Sequence, residues 1–288
     1  MRVLLTGRDG QVARSLIEKA LSLPDMELIP AGRPEVDLAD PGSIARVIRA
    51  VSPDLVINAA AYTTVDQAED EPERAFRVNA EAAGEAAAAA RKVNAAIIQL
   101  STDYVFDGQA GEPSRESART NPLSVYGASK LAGEEAVRAA NPDHLILRTA
   151  WVYSPFGRNF VRTMVAAARG RDALDVVDDQ YGSPTSALDL AEAILAIAAD
   201  WPLDSGRTYH LAGSGTASWF DLASEVMANC RRLGLPAAEV RSIATAEWPT
   251  RAARPPYAVL DCAAIERDLG IRLPDWRQSL TATVERLA

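Results

Sequence analysis

The chain has 288 residues, of which 48% are hydrophobic and 24% are charged. This is the composition of a globular protein with a mainly aliphatic core, since only 5 Phe, 5 Trp and 7 Tyr are present. At roughly 150 residues per domain, the length allows one large domain or two smaller ones. The formal charge of −9 argues against nucleic acid as a partner, because binding phosphates without sequence preference requires an excess of Lys and Arg.

Membrane, secretory and metal-binding features are missing from the sequence. The longest uncharged run, 208–220, has 13 residues, whereas crossing a bilayer takes roughly 20. The first residues enter a predicted strand and turn without the apolar run of a signal peptide, so we expect a cytoplasmic protein that contacts no membrane. With two Cys, two His and no CxxC spacing, we expect neither a disulfide framework nor a Cys/His metal site.

Short apolar runs alternate with helical stretches through the first half of the chain. Predicted strands lie at 3–5, 26–31, 55–57, 97–100 and 145–147, and predicted helices at 11–23, 42–51, 72–92 and 126–140. Strand, helix and strand repeated at this spacing is typical of a parallel sheet with helices on both faces. We therefore predict an α/β fold, a Rossmann-like doubly wound parallel sheet.

Beyond residue 150 the alternation loosens, because Gly and Pro divide the chain into shorter pieces. We predict a dinucleotide-binding domain over 1–150, completed by parts of 174–211, and a smaller, mainly substrate-binding region over 151–288. No stretch is poor enough in apolar residues to be a flexible linker. We therefore expect the second region to cap the first and to leave a cleft between them.

A glycine-rich turn with the spacing GxxGxxA follows the first strand and opens the first helix. Gly7 permits the tight turn, and Gly10 lets the backbone approach a pyrophosphate at the helix N-terminus. Taken alone, the segment is equally consistent with a plain strand-to-helix turn. Its position after a strand favours a dinucleotide site.

The second predicted strand ends at Arg33, where an NAD site usually has a carboxylate for the ribose. Because guanidinium binds phosphate in a bidentate way, Arg33 favours NADPH, the alternative being an ordinary surface arginine. Asp37 follows and can bind the adenine amino group; by repelling phosphate it also leaves NADH open as a cofactor. Small residues after the third strand allow a cofactor to lie flat, or mark tight core packing: Ala59, Ala60 and Ala61.

The fourth predicted strand ends at Thr102, and 24 residues later Tyr126 and Lys130 form a Tyr-x-x-x-Lys motif. Residues four apart share one face of a helix, so the ammonium can favour the phenolate and lower a pKa that is otherwise about 10. Tyr126 would then be a usable proton donor. A hydroxyl from Thr102 completes a hydrogen-bonding trio around a carbonyl oxygen, at the sheet edge where such folds bind ligands.

Together these motifs resemble the extended short-chain dehydrogenase/reductases and, within them, the dTDP-4-dehydrorhamnose reductases. The likeness covers nearly the whole chain. Its most particular phrases are VDQAE at 65–69, RTAWVY at 148–153 and DQYGSPT at 179–185, whereas the Tyr-x-x-x-Lys motif belongs to the wider superfamily.

The resemblance implies NADPH-dependent reduction of the 4-keto group of dTDP-4-dehydro-6-deoxy-L-mannose. It implies that Tyr126 donates the proton, that Lys130 holds the ribose and lowers the pKa of Tyr126, and that Thr102 tunes this pKa. The implied cofactor contacts, besides Tyr126 and Lys130, are Gly10, Gln11, Val12, Asp37, Leu38, Ala59, Ala60 and Ala61. The implied contacts with the dTDP-sugar are Thr102, Asp103, Trp151 and, at its diphosphate, Asn159.

Two departures from the family pattern and two alternatives remain. Ala13 replaces a third glycine, and we expect this to change packing rather than activity. Some members dimerise through a metal held by acidic residues, but Arg14 and Ser15 stand at one of these positions, so we predict no metal and leave a homodimer open. The alternatives are another nucleotide-sugar epimerase, dehydratase or reductase of the superfamily, and a non-catalytic regulatory subunit, against which the intact Thr102, Tyr126 and Lys130 count.

Overall fold

A computed structural model of the chain describes residues 1–201 and 205–288. Its first part contains β1 (Arg2–Thr6), α1 (Gln11–Ala20), β2 (Glu27–Ala31), α2 (Ser43–Val51), β3 (Leu55–Asn58), α3 (Val65–Ala68), α4 (Pro72–Phe76), α5 (Ala82–Lys92), β4 (Ala96–Thr102), α6 (Val125–Ala140) and β5 (His144–Thr149). The remainder contains β6 (Val152–Tyr153), α7 (Phe160–Ala167), β7 (Ala173–Val177), β8 (Tyr181–Gly182), β9 (Thr185–Ser186), α8 (Ala187–Ala199), β10 (Arg207–His210), β11 (Ala217–Ser218), α9 (Trp219–Arg232), β12 (Glu239–Ile243), β13 (Tyr257–Ala258), α10 (Ala263–Leu269) and α11 (Trp276–Glu285).

The central sheet has six strands in the order β10-β5-β4-β3-β1-β2, and every neighbouring pair is parallel. This confirms the predicted Rossmann-like α/β fold. The chain passes from β1 outward to β2 and then returns to the other side of β1 for β3. Such a reversal opens a crevice at the carboxyl ends of the strands, where this class of sheet binds ligands.

Both faces of the sheet are buried, and β1 shows why its sequence is apolar throughout. Val3 and Leu5 point into the core beneath α1 and α8, while Leu4 points into the opposite core beneath α2 and α5. Since successive side chains of a strand alternate between faces, a strand covered on both sides needs apolar residues at every position. The alanine-rich α5 packs closely because methyl side chains keep little distance between helix and sheet.

The part of the chain beyond β5 builds a second core of its own around α7, α9 and α11. Trp276 is the largest side chain buried there, and its carbonyl accepts a hydrogen bond of 2.8 Å from the hydroxyl of Tyr153. Two elements from this part return to the central sheet: α8 packs against α1, and β10 pairs with β5.

The helix predicted over 72–92 contains a wider π-helical turn at Arg77–Glu81, between α4 and α5. This turn directs the Asn79 side chain to the backbone of Tyr62, with bonds of 2.8 and 3.1 Å, and to the Ser129 hydroxyl at 2.9 Å. A Cβ on Gly133 would lie 2.1 Å from the carbonyl oxygen of Asn79. The π turn and α6 are therefore in direct backbone contact.

Candidate active site

A cleft of about 880 Å³ opens where the carboxyl ends of the central strands meet the second region. Every site residue predicted from the sequence lines it except Asn159. From the central domain these are Gly7, Gly10, Gln11, Val12, Arg33, Asp37, Leu38, Ala59, Ala60, Ala61, Thr102, Asp103, Tyr126 and Lys130, and from the second region Trp151.

The glycine-rich turn has the geometry of a pyrophosphate cradle. Gly7 has φ +81°, and a Cβ there would lie 2.9 Å from the Cα of Ala60, so a larger residue would collide with the strand end beside it. Gly10 begins α1 without a side-chain cap, which leaves the first N–H groups of the helix without an intrahelical partner. N–H groups at a helix N-terminus attract anions, and the residues present therefore fit a dinucleotide.

Two arginines flank the end of β2 and differ in their partners. Arg8 forms an ion pair of 3.2 Å with Glu35 and donates a hydrogen bond to the carbonyl of Arg33. The exposed Arg33 guanidinium lines the cleft with no hydrogen bond or ion pair to any residue that the structure describes. Arg33 can therefore bind a phosphate without breaking an existing pair. Arg8 also lines the cleft but is not among the residues predicted from the sequence, because the glycine-turn motif specifies no residue type at its position.

Gln11 joins α1 to the second region across the cleft. The hydroxyl of Ser154 donates a hydrogen bond of 3.0 Å to its side-chain oxygen. A Cβ on Gly157, which has φ +61°, would lie 3.3 Å from the Gln11 side chain. These contacts fix the position of the glycine turn relative to the second region at one end of the cleft.

Tyr126 reaches the cleft because α6 is pressed against the turn that follows β4. The Ser124 hydroxyl caps α6 by accepting the N–H of Gly127 at 3.1 Å. A Cβ on Gly127 would lie 2.2 Å from the carbonyl oxygen of Tyr104, so only glycine allows this approach. The rings of Tyr104 and Tyr126 meet edge to face, with their centroids 5.5 Å apart. The approach brings Tyr126 beside Thr102, the last residue of β4.

The lowered phenol pKa expected for Tyr126 is not what the structure shows. Burial raises the pKa of Tyr126 to about 12; a hydrogen bond with the Thr102 hydroxyl opposes the rise, and Asp103 adds to it. The Lys130 ammonium donates a 2.7 Å hydrogen bond to the carbonyl of Leu100 and none to the phenol of Tyr126. Burial lowers the pKa of Lys130 itself to about 8, against the charge of Glu134. Tyr126 is therefore protonated at neutral pH, as a proton donor must be.

Asp103 is a buried carboxyl at the same end of the cleft. Its Oδ1 accepts a 2.8 Å hydrogen bond from the Thr102 hydroxyl, and its buried Oδ2 has no partner among the described residues. Burial raises the pKa of Asp103 to about 7, while the Thr102 hydroxyl and nearby N–H groups act in the other direction. Thr102 thus lies between a carboxyl and a phenol.

An aromatic wall closes the opposite side of the cleft. Trp151 stacks on Trp219 with ring centroids 3.5 Å apart and an interplanar angle of 5°. Trp151 holds an unusual φ of +45°, and a Cβ on Gly182 would lie 2.3 Å from its ring, so this glycine makes room for the indole. The RTAWVY motif marks Trp151, whereas no motif marks Trp219, which reaches the cleft only through tertiary packing.

The structure corrects the prediction that Asn159 contacts the substrate, because its side chain is bonded to neighbouring backbone groups. Its oxygen caps α7 by accepting the N–H of Arg162 at 3.1 Å, and its amide donates to the carbonyls of Ser154 and Phe156 at 2.9 and 3.2 Å. With these bonds made and the side chain buried, Asn159 does not reach the cleft. The neighbouring Arg158 does line it.

Neither a metal centre nor a membrane-spanning helix is found in the part of the chain that the structure describes. Residues 1–201 and 205–288 contain no group of three or more His, Cys, Asp or Glu side chains that could hold a metal ion. In the same ranges, no helix combines the length and the apolar character that a membrane crossing requires.

The comparisons with known proteins agree with one another. A family model described as the RmlD substrate binding domain matches residues 1–288. A dTDP-4-dehydrorhamnose reductase of Sinorhizobium fredii is 46% identical over 283 residues, which cover 97% of this chain and 95% of the relative.

Two solved structures, both of proteins named dTDP-4-dehydrorhamnose reductase, are similar over nearly the full length. The one from Clostridium acetobutylicum has a TM-score of 0.92 at 38% identity and covers 100% of this chain and 99% of its own. The one from Bacillus anthracis, in complex with NADP, has a TM-score of 0.91 at 33% identity and covers 98% of each chain. The chain therefore belongs to the dTDP-4-dehydrorhamnose reductase family of oxidoreductases.

Proposed function

We propose that this protein uses NADPH to reduce the 4-keto group of dTDP-4-dehydro-6-deoxy-L-mannose, which yields dTDP-L-rhamnose. The observation that carries the proposal is the position of Thr102 and Tyr126 in the same cleft as the glycine turn, in a chain of this family. A carbonyl reduction needs a hydride donor at the carbon of the keto group and an acid at its oxygen. This cleft offers the glycine turn to bind the cofactor and Tyr126 to supply the acid.

The cofactor would lie along the carboxyl edge of the sheet. Gly7, Gly10 and the N–H groups of Gln11 and Val12 would hold the pyrophosphate. Asp37 and Leu38 would face the adenosine, and the small residues after β3 would leave room beside it: Ala59, Ala60 and Ala61. Arg33 would bind the 2′-phosphate, and the NADP complex of the Bacillus anthracis relative supports a site for this group. NADH remains a second cofactor to test.

The acid chemistry would belong to the residues after β4 and on α6. When bound, the nicotinamide supplies the hydride to C4 of the sugar. Tyr126 would donate its phenolic proton to the keto oxygen, for which its raised pKa keeps it protonated. Thr102 would orient the phenol and the carbonyl by hydrogen bonds. Lys130, fixed by the carbonyl of Leu100, would present its ammonium to the ribose.

The sugar would lie between the acid and the aromatic wall, in contact with Asp103 and Trp151. We propose, as predicted from the sequence, that residues 1–150, with parts of 174–211, bind the cofactor and that residues 151–288 mainly bind the dTDP-sugar. We do not include Asn159, because its polar atoms are already bonded; Arg158 is the nearby cation available to a diphosphate. A cytoplasmic location and a homodimer stay predictions.

The test is NADPH oxidation with dTDP-4-dehydro-6-deoxy-L-mannose, compared with a panel of other dTDP- and UDP-linked sugars. We expect one NADPH consumed per sugar reduced, with dTDP-L-rhamnose as the product. Conversion without net NADPH consumption would instead indicate an epimerase or dehydratase, which recycles its nicotinamide. If NADPH binds but no sugar of the panel turns over, the regulatory-subunit alternative gains the support that this proposal loses.

A further inference from the structure

Asp103, placed above as a contact of the sugar, has no part in the proton transfer proposed so far. Its side chain is 2% exposed, lines the cleft and leaves Oδ2 without a partner among the described residues. Its other oxygen bonds the Thr102 hydroxyl at 2.8 Å. A carboxylate buried in this way would lack the pairing that makes a buried charge tolerable, which favours the neutral carboxylic acid.

Glu134 provides the contrast within the same molecule. It is equally buried, but Arg148 grips both of its oxygens at 2.8 and 2.7 Å, and Arg138 and Ser101 add bonds of 2.8 and 2.6 Å. Burial is the largest influence on the pKa of Glu134 and would raise it, but Arg148, Ser101 and Arg138 together outweigh burial and the pKa is lowered. No cation bonds Asp103 in the part of the chain that the structure describes. The surroundings of Glu134 therefore favour its ionised form, whereas those of Asp103 favour its protonated form.

We propose that Asp103 is the proton reservoir of the site and returns a proton to Tyr126 through the Thr102 hydroxyl. Thr102 is the right intermediary, because its hydroxyl bonds Asp103 on one side and lies close enough to Tyr126 on the other to affect the phenol. A hydroxyl is at once a donor and an acceptor, so it can pass a proton on without a net change of its own. The inference rests on the function proposed above.

The relay moves two protons in the same direction. After Tyr126 has given its proton to the keto oxygen, the phenolate oxygen takes the proton of the Thr102 hydroxyl. In the same movement the Thr102 oxygen takes the carboxylic proton of Asp103. This requires the neutral acid to carry its proton on Oδ1, so that Asp103 donates along the 2.8 Å contact that it accepts from Thr102 when ionised. The O–H bond of Tyr126 is restored, Thr102 is unchanged and Asp103 is left as a carboxylate, which recovers its proton from water after the product leaves.

The surroundings of Asp103 are suited to this titration. The titratable groups that interact with it are Tyr104, on its own turn, and Tyr126, from α6. Both phenols are neutral at pH 7, since the ordinary pKa of a phenol is about 10 and burial raises the pKa of each further. The ammonium of Lys130 on α6 is bonded to the Leu100 carbonyl and Arg254 is paired with Asp66, and neither cation forms a bond with the Asp103 carboxyl.

The experiment compares wild type with Asp103→Asn, which keeps the shape of the side chain and removes the proton. In wild type, kcat should fall as pH rises through about 7, where Asp103 loses its proton. In Asp103→Asn, kcat should be about 10-fold lower or more at pH 6 and should lack this pH-dependent fall, with KM changed less than kcat. Infrared difference spectra at pH 6 should show a protonated carboxyl band that is absent from the variant.

A second pair of variants keeps the proposal testable if Asp103→Asn does not fold. Thr102→Val removes the intermediary hydroxyl and should flatten the same pH profile, while Thr102→Ser should restore it. A fall near pH 7 that persists in folded Asp103→Asn, with KM raised instead, would overturn the relay and leave Asp103 as a substrate contact. A wild type that reduces none of the dTDP-sugars would overturn the proposed function instead, whatever the infrared result.

Discussion

Tyr126 stands half-buried in the wall of the cleft, beside the hydroxyl of Thr102 and the ring of Tyr104. Replacing it by Phe keeps the ring and removes the phenolic proton. We predict that Tyr126→Phe lowers kcat by roughly 10²-fold or more and leaves NADPH binding largely intact. Steady-state kinetics and cofactor titration measure both quantities.

The matched control is Tyr62→Phe, which removes another phenol from the same cleft. The Tyr62 hydroxyl bonds Glu71 at 3.2 Å, away from Thr102, so kcat should stay near the wild-type value. Near-normal turnover of Tyr126→Phe would remove Tyr126 from its proposed role.

Arg33 is the residue on which cofactor preference should depend. Its guanidinium has no partner among the described residues, whereas Arg8 nearby is paired with Glu35. We predict that Arg33→Ala weakens NADPH binding by roughly 10- to 100-fold, the equivalent of about 1.5–3 kcal/mol, and hardly changes NADH binding. Calorimetric titration of both cofactors measures the difference. Equal weakening of NADPH and NADH binding would mean that Arg33 acts only through general charge. The control is Arg49→Ala, since Arg49 is exposed and lies outside the cleft.

At the scale of elements, the contact between α6 and the π turn depends on Gly133. Alanine there would gain up to about 1 kcal/mol of helix propensity, but its methyl would lie 2.1 Å from a backbone oxygen that cannot move aside easily. Overpacking of this kind costs about 1–3 kcal/mol or more. We therefore predict that Gly133→Ala lowers the free energy of unfolding despite the better helix former.

Thermal and denaturant unfolding measure this change, with Gly170→Ala as the control. A methyl group added at Gly170 would meet no atom within 4 Å, and this glycine has no positive φ, so its replacement should shift stability by less than about 0.5 kcal/mol. A Gly133→Ala variant as stable as wild type would show that the two helices can move apart without cost.

The π turn also marks a limit of reasoning from periodicity. The alanine-rich pattern of 72–92 correctly predicts helix throughout, because helix propensity is a local property. The extra residue in the turn at 77–81 has no local signal. It brings Asn79 against Tyr62 and Ser129, which are 17 and 50 residues away in the chain, and only packing between elements decides it.

At the scale of the whole molecule, the segment 248–257, here called the strap, ties the second region to α3 at the mouth of the cleft. Arg254 on the strap grips both carboxylate oxygens of Asp66 at 2.7 Å, and the N–H of Ala252 bonds the same carboxylate at 3.1 Å. The neighbouring α3 residues Val65 and Gln67 line the cleft. The pair therefore holds the strap against a helix that borders the site.

We predict that Arg254→Met lowers the free energy of unfolding by only about 1 kcal/mol, because Asp66 is 44% exposed and solvent screens the pair. The melting temperature should fall by about 2–4 °C. KM for the sugar should rise more than kcat falls, since the chemistry lies elsewhere. The control is Arg251→Met, because Arg251 lies on the same strap and forms a more exposed pair with Asp70. This variant should change neither the free energy of unfolding nor KM measurably. Equal effects of the two variants would refute a specific role for Arg254.

The same pair predicts a pH dependence of stability. Hydrogen bonds from Arg254 hold the pKa of Asp66 below its usual range, and burial only partly offsets them. A carboxyl with a lowered folded-state pKa stabilises the protein above its unfolded pKa, about 3.9, and loses this contribution as pH falls through the folded value. The stability difference between wild type and Asp66→Asn should therefore be full at neutral pH and vanish in acid, as urea unfolding at several pH values would measure. A difference that does not diminish as pH falls below the unfolded pKa, about 3.9, would contradict the ion-pair explanation.

The sequence by itself determined the features that depend on local order along the chain. Apolar strands buried on both faces, the glycine turn after β1 and the four-residue spacing of Tyr126 and Lys130 were all readable, because backbone periodicity and steric rules act over a few residues. The tertiary structure decided which groups are paired and which are desolvated. Arg33 has no partner among the described residues, and the side chain of Asn159 caps α7. The pKa of Tyr126 is raised rather than lowered, because burial and long-range neighbours, which no spacing encodes, set the electrostatics of each group.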